Sequence, residues 1–394
     1  MPFEGRSAMS LKAEFVRLAR VESANICELC ARFGISRGTG YKWLERFRRD
    51  GDAGLEEHSR RPRHSPAQTD AQIEAAVLGV RGEHPAWGGR KIAAALRRSG
   101  LTAPSPSTIT AILRRHGCAI GRFGGGQQSF LRFEHPQPND LWQMDFKGHV
   151  AMRQGRLHPL TVLDDHSRYA IALEACADET GNTVKARLQA AFRRYGLPWR
   201  MAMDNGSPWG DSGLSPFTPL TVWLIECDVA VSHSRPYHPQ TLGKDERFHR
   251  SLNAEALSGP HFDSLGQAQQ ALDRWRHVYN TQRPHEAIDL KVPADRYVPS
   301  SRAYSEPAQP FQYASDDSLR IVQQHGWISF KNRRFRASRA FIGKTVALRP
   351  TAEDGSYDLF FRHHFIKTID LAALDQPTES VHDVSEHLST MSPV

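Results

Sequence analysis

The stretch from residue 136 to residue 302 most constrains the fold, because its apolar residues switch between strand-like runs and helical spacing. Three strands, a helix, a fourth strand and a long polar helix are predicted in that order, at residues 141–146, 160–163, 169–173, 180–195, 200–203 and 240–257. Such alternation is typical of an α/β domain, which needs helices to cover the sheet. The sequence therefore predicts one α/β domain in the middle of a longer, multidomain chain.

Residues 1–50 have apolar positions at helical spacing and predict three short helices. Gly34 can adopt a positive φ that ends one helix, and Ser36 can cap the next. This pattern predicts a helix-turn-helix domain. Its second helix would present four residues to DNA, namely Arg37, Thr39, Gly40 and Lys42. A three-helix bundle with no role in DNA binding is the alternative.

A basic, Pro-rich linker at residues 51–68 follows, and its Arg60, Arg61 and Arg63 could track phosphates. Residues 69–118 predict a second helix-turn-helix domain, in which Thr69 or Asp70 caps the first helix and Ser107 opens the last. Arg90 and Lys91 are its candidate DNA contacts. Trp87, a single Trp among apolar neighbours, is interpreted as a packing anchor rather than a base stacker.

The remaining segments lie on either side of the α/β domain. Residues 119–135 form a Gly- and Gln-rich linker, and residues 136–302 form the core. Short strands with turn residues between them predict a small β-barrel at residues 315–372. Arg333, Arg334, Arg336 and Arg339 could bind DNA there or could be solvated charges of an edge strand. The acidic tail, residues 373–394, lacks aromatic residues and is predicted to be disordered.

Charge follows the same division. The chain has a net charge of +8, distributed as +9 over residues 1–135, −3 over 136–319, +7 over 320–367 and −5 over 368–394. Basic flanks around a mildly acidic middle are expected of a protein that binds a polyanion, because Lys and Arg displace counterions from phosphates. Charge alone would equally fit solvated surfaces.

Several classes of protein are disfavoured. No run of about 18 apolar residues could span a bilayer and no charged-then-apolar leader is present, so the cytoplasm, in association with the nucleoid, is the expected location. Five scattered cysteines fit reduced thiols better than a disulfide framework. Cys27 and Cys30 could suggest zinc, but no second pair of ligands stands at finger spacing, which favours a half-buried helix face.

Three acidic residues stand where chemistry is expected. Asp145 interrupts an apolar strand, where an uncompensated carboxylate is costly to bury, and Asp204 follows the fourth strand with a turn after it. Glu246 lies on the long polar helix and by itself would be interpreted as part of a salt-bridged surface. The rival acids, Asp164 and Asp165, are expected to cap a turn rather than to bind metal.

Five motifs then resemble insertion-sequence transposases with a retroviral-integrase-like catalytic core, similar to the insertion sequence 481 family. They are Trp-Gln-Met-Asp-Phe-Lys at 142–147, Thr-Val-Leu-Asp-Asp-His-Ser-Arg-Tyr at 161–169, Met-Asp-Asn-Gly-Ser-Pro-Trp at 203–209, Arg-Pro-Tyr-His-Pro-Gln-Thr-Leu-Gly-Lys-Asp-Glu-Arg-Phe-His-Arg at 235–250 and Tyr-Asn-Thr-Gln-Arg-Pro-His at 279–285. The resemblance covers roughly residues 10–300 and implies a ribonuclease H-like integrase core.

The resemblance also implies chemistry. Asp145, Asp204 and Glu246 match the family's metal-binding DDE triad, and the Lys-x-Glu-Arg frame favours Glu246 over Asp245. Two Mg²⁺ or Mn²⁺ ions would support cleavage of element ends and joining of the freed 3′-hydroxyl to target DNA, by a homo-oligomer on DNA. Lys244, Arg247 and Arg250 would face the DNA backbone. A catalytically silent, sequence-specific DNA-binding protein and a nuclease that does not join DNA are the alternatives.

Overall fold

A computed structural model describes residues 8–57, 69–118, 134–210, 215–233, 243–259 and 261–372. The chain divides into two compact units, Met1–Gln68 and Thr69–Val394, and each is described by itself. Several predicted features lie outside the described residues: Arg60, Arg61 and Arg63, most of the 119–135 linker, the 235–242 part of the fourth motif, and the acidic tail.

The first unit is a helix-turn-helix. Its helices are α1 (Ala8–Ala19), α2 (Ile26–Arg32) and α3 (Arg37–Asp50), followed by a 3-10 helix at Gly51–Leu55. Gly34 has a φ of 65°, and the Ser36 hydroxyl accepts a hydrogen bond from the Thr39 N–H, so the predicted turn and cap are confirmed.

The core of this unit contains Phe15, Cys30 and Trp43. Tyr41 lies outside this core and is 59% exposed. The buried face of α3 is centred on Gly40 and Trp43, and Tyr41 lies about 100° around the helix from Gly40. Cys27 is exposed while Cys30 is buried.

The second unit begins with three more helices, α4 (Ala71–Glu83), α5 (Gly89–Arg98) and α6 (Pro106–Arg115). Asp70 caps α4, as predicted, whereas α6 is capped by Ser105 rather than opened by Ser107. Pro106 takes the first helical position, where its missing N–H costs nothing, and so the helix starts one residue earlier. Trp87 is buried and stacks on the His84 ring, so the prediction of a packing anchor is confirmed.

A mixed six-stranded sheet follows and fits the predicted ribonuclease H-like core. Its strands are β1 (Leu141–Phe146), β2 (Val150–Ala151), β3 (Arg156–Asp164), β4 (Ala170–Cys176), β5 (Arg200–Met203) and β6 (Ala230–His233). The order is β2-β3-β1-β5-β6, with β4 on β3. β3 pairs antiparallel with β1 and β4, whereas β1, β5 and β6 run parallel.

Helices cover both faces of this sheet. They are α7 (Gly181–Tyr195), α8 (Pro219–Glu226), α9 (Gly243–Leu252) and α10 (Leu265–Thr281), with a π-helical turn at Asn253–Leu257 after α9. α7 and α8 pack in one core cluster, and α9 and α10 pack in another with Leu163, Ala170 and Leu173. α9 is therefore held by the same sheet that carries β1.

The C-terminal strands form two small sheets. One has the order β12-β11-β10-β7 and the other pairs β8 with β9. Their ranges are β7 (Ser318–Ile321), β8 (Trp327–Phe330), β9 (Arg333–Arg336), β10 (Thr345–Pro350), β11 (Ser356–Phe361) and β12 (His364–Asp370).

A closed β-barrel is not formed over the described residues. β8 pairs with β9 rather than with β7. In a closed barrel, backbone hydrogen bonds would join β7 to β8, but here the Arg320 side chain of β7 donates a hydrogen bond to the Ser329 carbonyl of β8.

No helix within the described ranges has the length and apolar composition required to cross a membrane.

Candidate active site

Two carboxylates stand at the ends of neighbouring parallel strands. In the register of β1 and β5, Gln143 lies opposite Ala202, and Asp145 and Asp204 each come two residues later. Carboxyl ends of parallel strands meet at one edge of a sheet, where sites commonly form. β1 and β5 therefore bring Asp145 and Asp204 to the same edge of the sheet.

Asp145 is held in an environment that opposes its charge. Its side chain is 29% exposed, whereas the ring of the next residue, Phe146, points to the opposite face of β1 and stacks on buried Trp209 with centroids 5.7 Å apart. Burial, together with a smaller effect of the negative charge of Asp204, raises the pKa of Asp145 to about 7. Smaller contributions in the same direction come from Glu179 and Glu246. A cation at this position would remove the repulsion.

Asp204 is fixed by the turn that follows its strand. Its Oδ1 accepts a hydrogen bond from the Gly206 N–H at 3.1 Å, and its carbonyl oxygen lies 2.8 Å from His233 Nδ1 on β6. A Cβ at Gly206 would lie 3.3 Å from Asp204 Oδ2, so a larger residue would crowd the carboxylate. The turn holds one carboxylate oxygen and leaves the carboxylate at the strand end.

Glu246 is exposed in the first turn of α9, whereas Phe248 on the same helix is 1% exposed and packs in the second core cluster. Residues two apart on a helix are about 200° apart around its axis, so the two side chains occupy different faces. Glu246 is near enough to contribute to the raised pKa of Asp145.

The three acids do not form a complete metal site here. Within the part of the chain that the structure describes, no three His, Cys, Asp or Glu side chains are grouped closely enough to hold an ion. The strand ends bring Asp145 and Asp204 together, and Glu246 on α9 has a smaller effect than Asp204 on the pKa of Asp145. Their chemistry fits a hard divalent cation, which prefers carboxylate oxygens.

His249 and Thr161 also border Asp145, although neither was predicted as a site residue. The Thr161 hydroxyl donates to the Asp145 carbonyl at 2.9 Å and lies 2.8 Å from His249 Nε2. His249 Nδ1 lies 3.9 Å from Asp145 Oδ2, and burial lowers the pKa of His249 to about 4. The hydrogen of Thr161 is already used, so Nε2 of a neutral His249 is the donor to Thr161.

Asp245, next to Glu246, is completely buried. Neither of its carboxylate oxygens has a hydrogen-bond partner. Burial raises its pKa well above the usual range, and the charges of Asp145 and Asp165 act in the same direction. A buried carboxyl group without partners is expected to be protonated.

The rival acids form structural contacts. Asp164 is buried, and its carboxylate accepts hydrogen bonds from the N–H and hydroxyl of Ser167, at 2.8 and 2.5 Å, and from the Asn139 N–H at 2.7 Å. Asp164 therefore caps the β3–β4 turn, as predicted. Asp165 is also buried and forms an ion pair with Lys244.

The candidate DNA contacts of the first unit lie on α3. Arg37 and Lys42 are exposed, and Thr39 is half-buried beside its cap, Ser36. Gly40 is not presented outward. A Cβ at Gly40 would be 2.5 Å from Cys30 Sγ, so this position serves close packing of the helices.

The candidate contacts on α5 lie next to the core instead. Arg90 Nη1 is 3.7 Å from Glu286 Oε2. Lys91 is half-buried. Its burial, together with a smaller effect of the positive charge of Arg283, lowers the pKa of Lys91 to about 8. On the same helix Arg98 forms a two-bond ion pair with Asp295, at 2.8 and 3.0 Å.

On α9, Lys244 is held by Asp165, and Arg247 and Arg250 are exposed. In the C-terminal sheets, Arg333, Arg334 and Arg336 are exposed on β9.

Family comparisons match the chain segment by segment. Residues 11–63 match a helix-turn-helix domain and residues 39–113 a homeodomain-like domain. Residues 135–239 and 227–293 match integrase core domains. Residues 317–376 match the C-terminal domain of IS481 family transposases.

Similar proteins come from insertion elements. The chain is 26% identical over 261 residues to an uncharacterized 31.7 kDa protein of insertion element IS407 from Burkholderia multivorans, covering 64% of this chain and 91% of that protein. It is 25% identical over 166 residues to the transposase for insertion sequence element IS904 from Lactococcus lactis, covering 41% and 63%.

Among solved structures, a chain of the simian T-cell lymphotropic virus intasome in complex with PP2A regulatory subunit B56 gamma covers 77% of this chain and 99% of its own, with 14% identity and a TM-score of 0.38. With its helix-turn-helix domains, integrase core and IS481-type C-terminal domain, the chain is thus similar to the transposases of insertion sequences.

Proposed function

We propose that the chain is the transposase of a bacterial-type insertion sequence, which cuts DNA at the element ends and joins the freed 3′-hydroxyl to target DNA. Asp145, Asp204 and Glu246 would be its catalytic acids and would hold two Mg²⁺ or Mn²⁺ ions. The observation that carries this proposal is the adjacency of Asp145 and Asp204, whose repulsion contributes to a raised pKa at Asp145. The match to the integrase core supports the same reaction class.

The bound ions would neutralise charge on the phosphate and lower the pKa of the attacking group. Asp145 and Asp204 would bind from the strand ends, and Glu246 would bind from α9.

Two displacements at phosphorus would follow each other. In the first, water adds, the bond from phosphorus to the 3′-oxygen breaks, and a 3′-hydroxyl is released. In the second, that hydroxyl attacks a phosphorus of the target strand, one new bond to oxygen forms, and one target 3′-hydroxyl leaves. No covalent link to the protein is required in either step.

DNA binding would be shared among the modules, which we assign to residues 1–50, 69–118, 136–302 and 315–372. The helix-turn-helix modules would hold the terminal repeats of the element, with Arg37 and Lys42 as contacts of the first. A homo-oligomer would bring two ends together, and the protein would be located with the nucleoid.

The test is cleavage and joining of labelled DNA that carries the flanks of the gene, with Mg²⁺ or Mn²⁺. Asp145→Asn, Asp204→Asn and Glu246→Gln are compared with the wild type after binding of the same DNA has been verified. We expect each substitution to abolish both steps while binding is retained.

Three results would overturn the proposal. Binding without cutting by the wild type under either metal would favour a catalytically silent DNA-binding protein. Cutting without joining would show that the protein is a nuclease that does not join DNA. Retained cutting in the substituted proteins would reject the three acids as catalytic residues.

A further inference from the structure

Asp165 is a buried carboxylate at which three parts of the core meet. It is 1% exposed. Its Oδ1 accepts a hydrogen bond from Gln143 Nε2 at 2.9 Å, and its Oδ2 accepts one from the His135 N–H at 2.9 Å. The ammonium group of Lys244 forms an ion pair with Oδ1. The carboxylate therefore contacts the segment before β1, β1 itself and the start of α9.

The positions of these contacts relate directly to the candidate acids. Gln143 precedes Asp145 by two residues on β1, so the two side chains point to the same face of the sheet. Lys244 precedes Glu246 by two residues in the first turn of α9. One buried carboxylate thus contacts both of the elements that carry Asp145 and Glu246.

An ion pair of this kind is poorly suited to adding stability. The Lys244 side chain is 20% exposed and that of Asp165 is 1% exposed, so both charges have lost most of their water. This loss offsets much of the attraction between them. The best-documented use of such pairs is to select one register between packed elements.

Among the described residues, few polar contacts hold the start of α9. Phe248 and Leu252 anchor the second half of the helix in the core, and Glu246 and Arg247 in the first half are exposed. Asp245 is buried without a hydrogen bond. Among the described residues of the first turn, the Lys244 side chain is the one with an ion pair to the sheet.

We propose that Asp165 and Lys244 are positioning residues, and that their ion pair fixes α9 against β1 and so sets where the Glu246 carboxylate lies relative to Asp145. The inference rests on the proposed function, because it assigns Glu246 a catalytic role. It also gives Lys244 a different role from the phosphate contact that its motif implied.

The first experiment is amide hydrogen exchange over α9 in the full chain, without metal or DNA. Asp165→Asn, Lys244→Met and the double variant are compared with the wild type. Each single substitution should speed exchange in the first half of α9, and the double variant should exchange no faster than the faster single variant, as expected for two residues that act as a pair. Lys244→Arg should restore much of the protection.

Asp317→Asn is the matched control. The Asp317 side chain is 2% exposed and pairs with Arg349 at 2.7 and 3.0 Å in the C-terminal sheet, far along the chain from α9. Its loss should lower the melting temperature without changing exchange in α9.

The second experiment is the kinetics of DNA cutting. A misplaced acid lowers turnover at saturating DNA, by a factor on the order of 100 for a shift of about 1 Å. We expect Asp165→Asn and Lys244→Met each to lower turnover by the same factor and to leave KM for DNA unchanged. Asp317→Asn should change neither turnover nor KM.

The outcomes separate the possibilities. A raised KM in Lys244→Met with normal kinetics in Asp165→Asn would show a phosphate contact and overturn the proposal. Unchanged exchange in α9 in both single variants would also overturn it. A wild type that never cuts would reject the proposed function, whereas faster exchange in the variants would still show that the pair anchors α9.

Discussion

Asp145 and Asp204 occupy equivalent positions at the ends of two neighbouring parallel strands, each two residues beyond the Gln143–Ala202 register pair. Because both carboxylates approach the same point, the site without a cation is electrostatically unfavourable when both are ionised. The pKa of Asp145, raised to about 7, expresses that cost and leads to a prediction.

Stability of the metal-free protein should fall as pH rises from about 4 to about 7. The folded state keeps a proton on Asp145 that the unfolded state has already lost, so raising the pH favours unfolding across this window. The contribution is on the order of a few kcal/mol. Asp145→Asn should remove this pH dependence. In denaturant titrations at pH 8 without metal, Asp145→Asn should therefore be more stable than the wild type.

Adding Mg²⁺ or Mn²⁺ at pH 8 should stabilise the wild type but not Asp145→Asn. The effect follows from binding to the folded state alone. An equal response of both proteins would show that the ion binds elsewhere.

Thr161→Val should destabilise the core by about 1–3 kcal/mol, because a buried carbonyl and a buried imidazole N–H lose their partner. The shape is nearly preserved, so the loss reports the hydrogen bonds of Thr161 to Asp145 and His249. Thr368→Val, at an exposed strand position, is the control and should change the stability by less than about 0.5 kcal/mol. Equal losses in urea titrations would contradict the proposed contacts.

Gly40→Ala should destabilise the first helix-turn-helix by about 1–3 kcal/mol through overpacking, since the new Cβ would lie 2.5 Å from Cys30 Sγ and 2.9 Å from Phe15 Cζ. Gly38→Ala meets only Ser36 Oγ, at 4.0 Å, and should instead stabilise α3 by roughly 0.5–1 kcal/mol. Thermal unfolding of the two variants should therefore shift in opposite directions. A Gly40→Ala variant as stable as Gly38→Ala would rule out the close packing.

Arg37→Ala and Lys42→Ala should weaken binding of element-end DNA and make it less sensitive to salt. Each lost phosphate contact lowers the slope of log K against log salt concentration by about 1. Arg48→Ala is the control, because Arg48 pairs with Glu45 at the other end of α3. If Arg48→Ala lowered the slope as much as the other two, general charge rather than the start of α3 would explain the binding.

The sequence predicted β1 with its observed bounds and placed Asp145 correctly within it, because a carboxylate in an apolar strand is conspicuous. α8 was missed, and its six consecutive buried residues, Leu220–Ile225, show why. A short, uninterrupted apolar run does not distinguish a strand from a buried helix. β6 was missed with it.

The partners of charged residues were the least predictable part of the site. Lys244 and Asp165 are 79 residues apart, and nothing local marks them as a pair. Adjacent Asp245 and Glu246 look alike in sequence, yet one is buried and the other exposed. Only the packing of Phe248 and Leu252 decides which of the two acids faces outward.

The contacts of α5 with the core fix the distance between the second helix-turn-helix and the α/β domain. Arg98 and Asp295 tie the second helix-turn-helix to the segment after α10, and α6, with exposed Ser107, Thr110 and Arg114, belongs to the same bundle. If α6 recognises the terminal repeat, the number of base pairs between the recognised sequence and the cut is set by this protein surface. Lengthening the 119–135 linker would then leave the position of the cut unchanged.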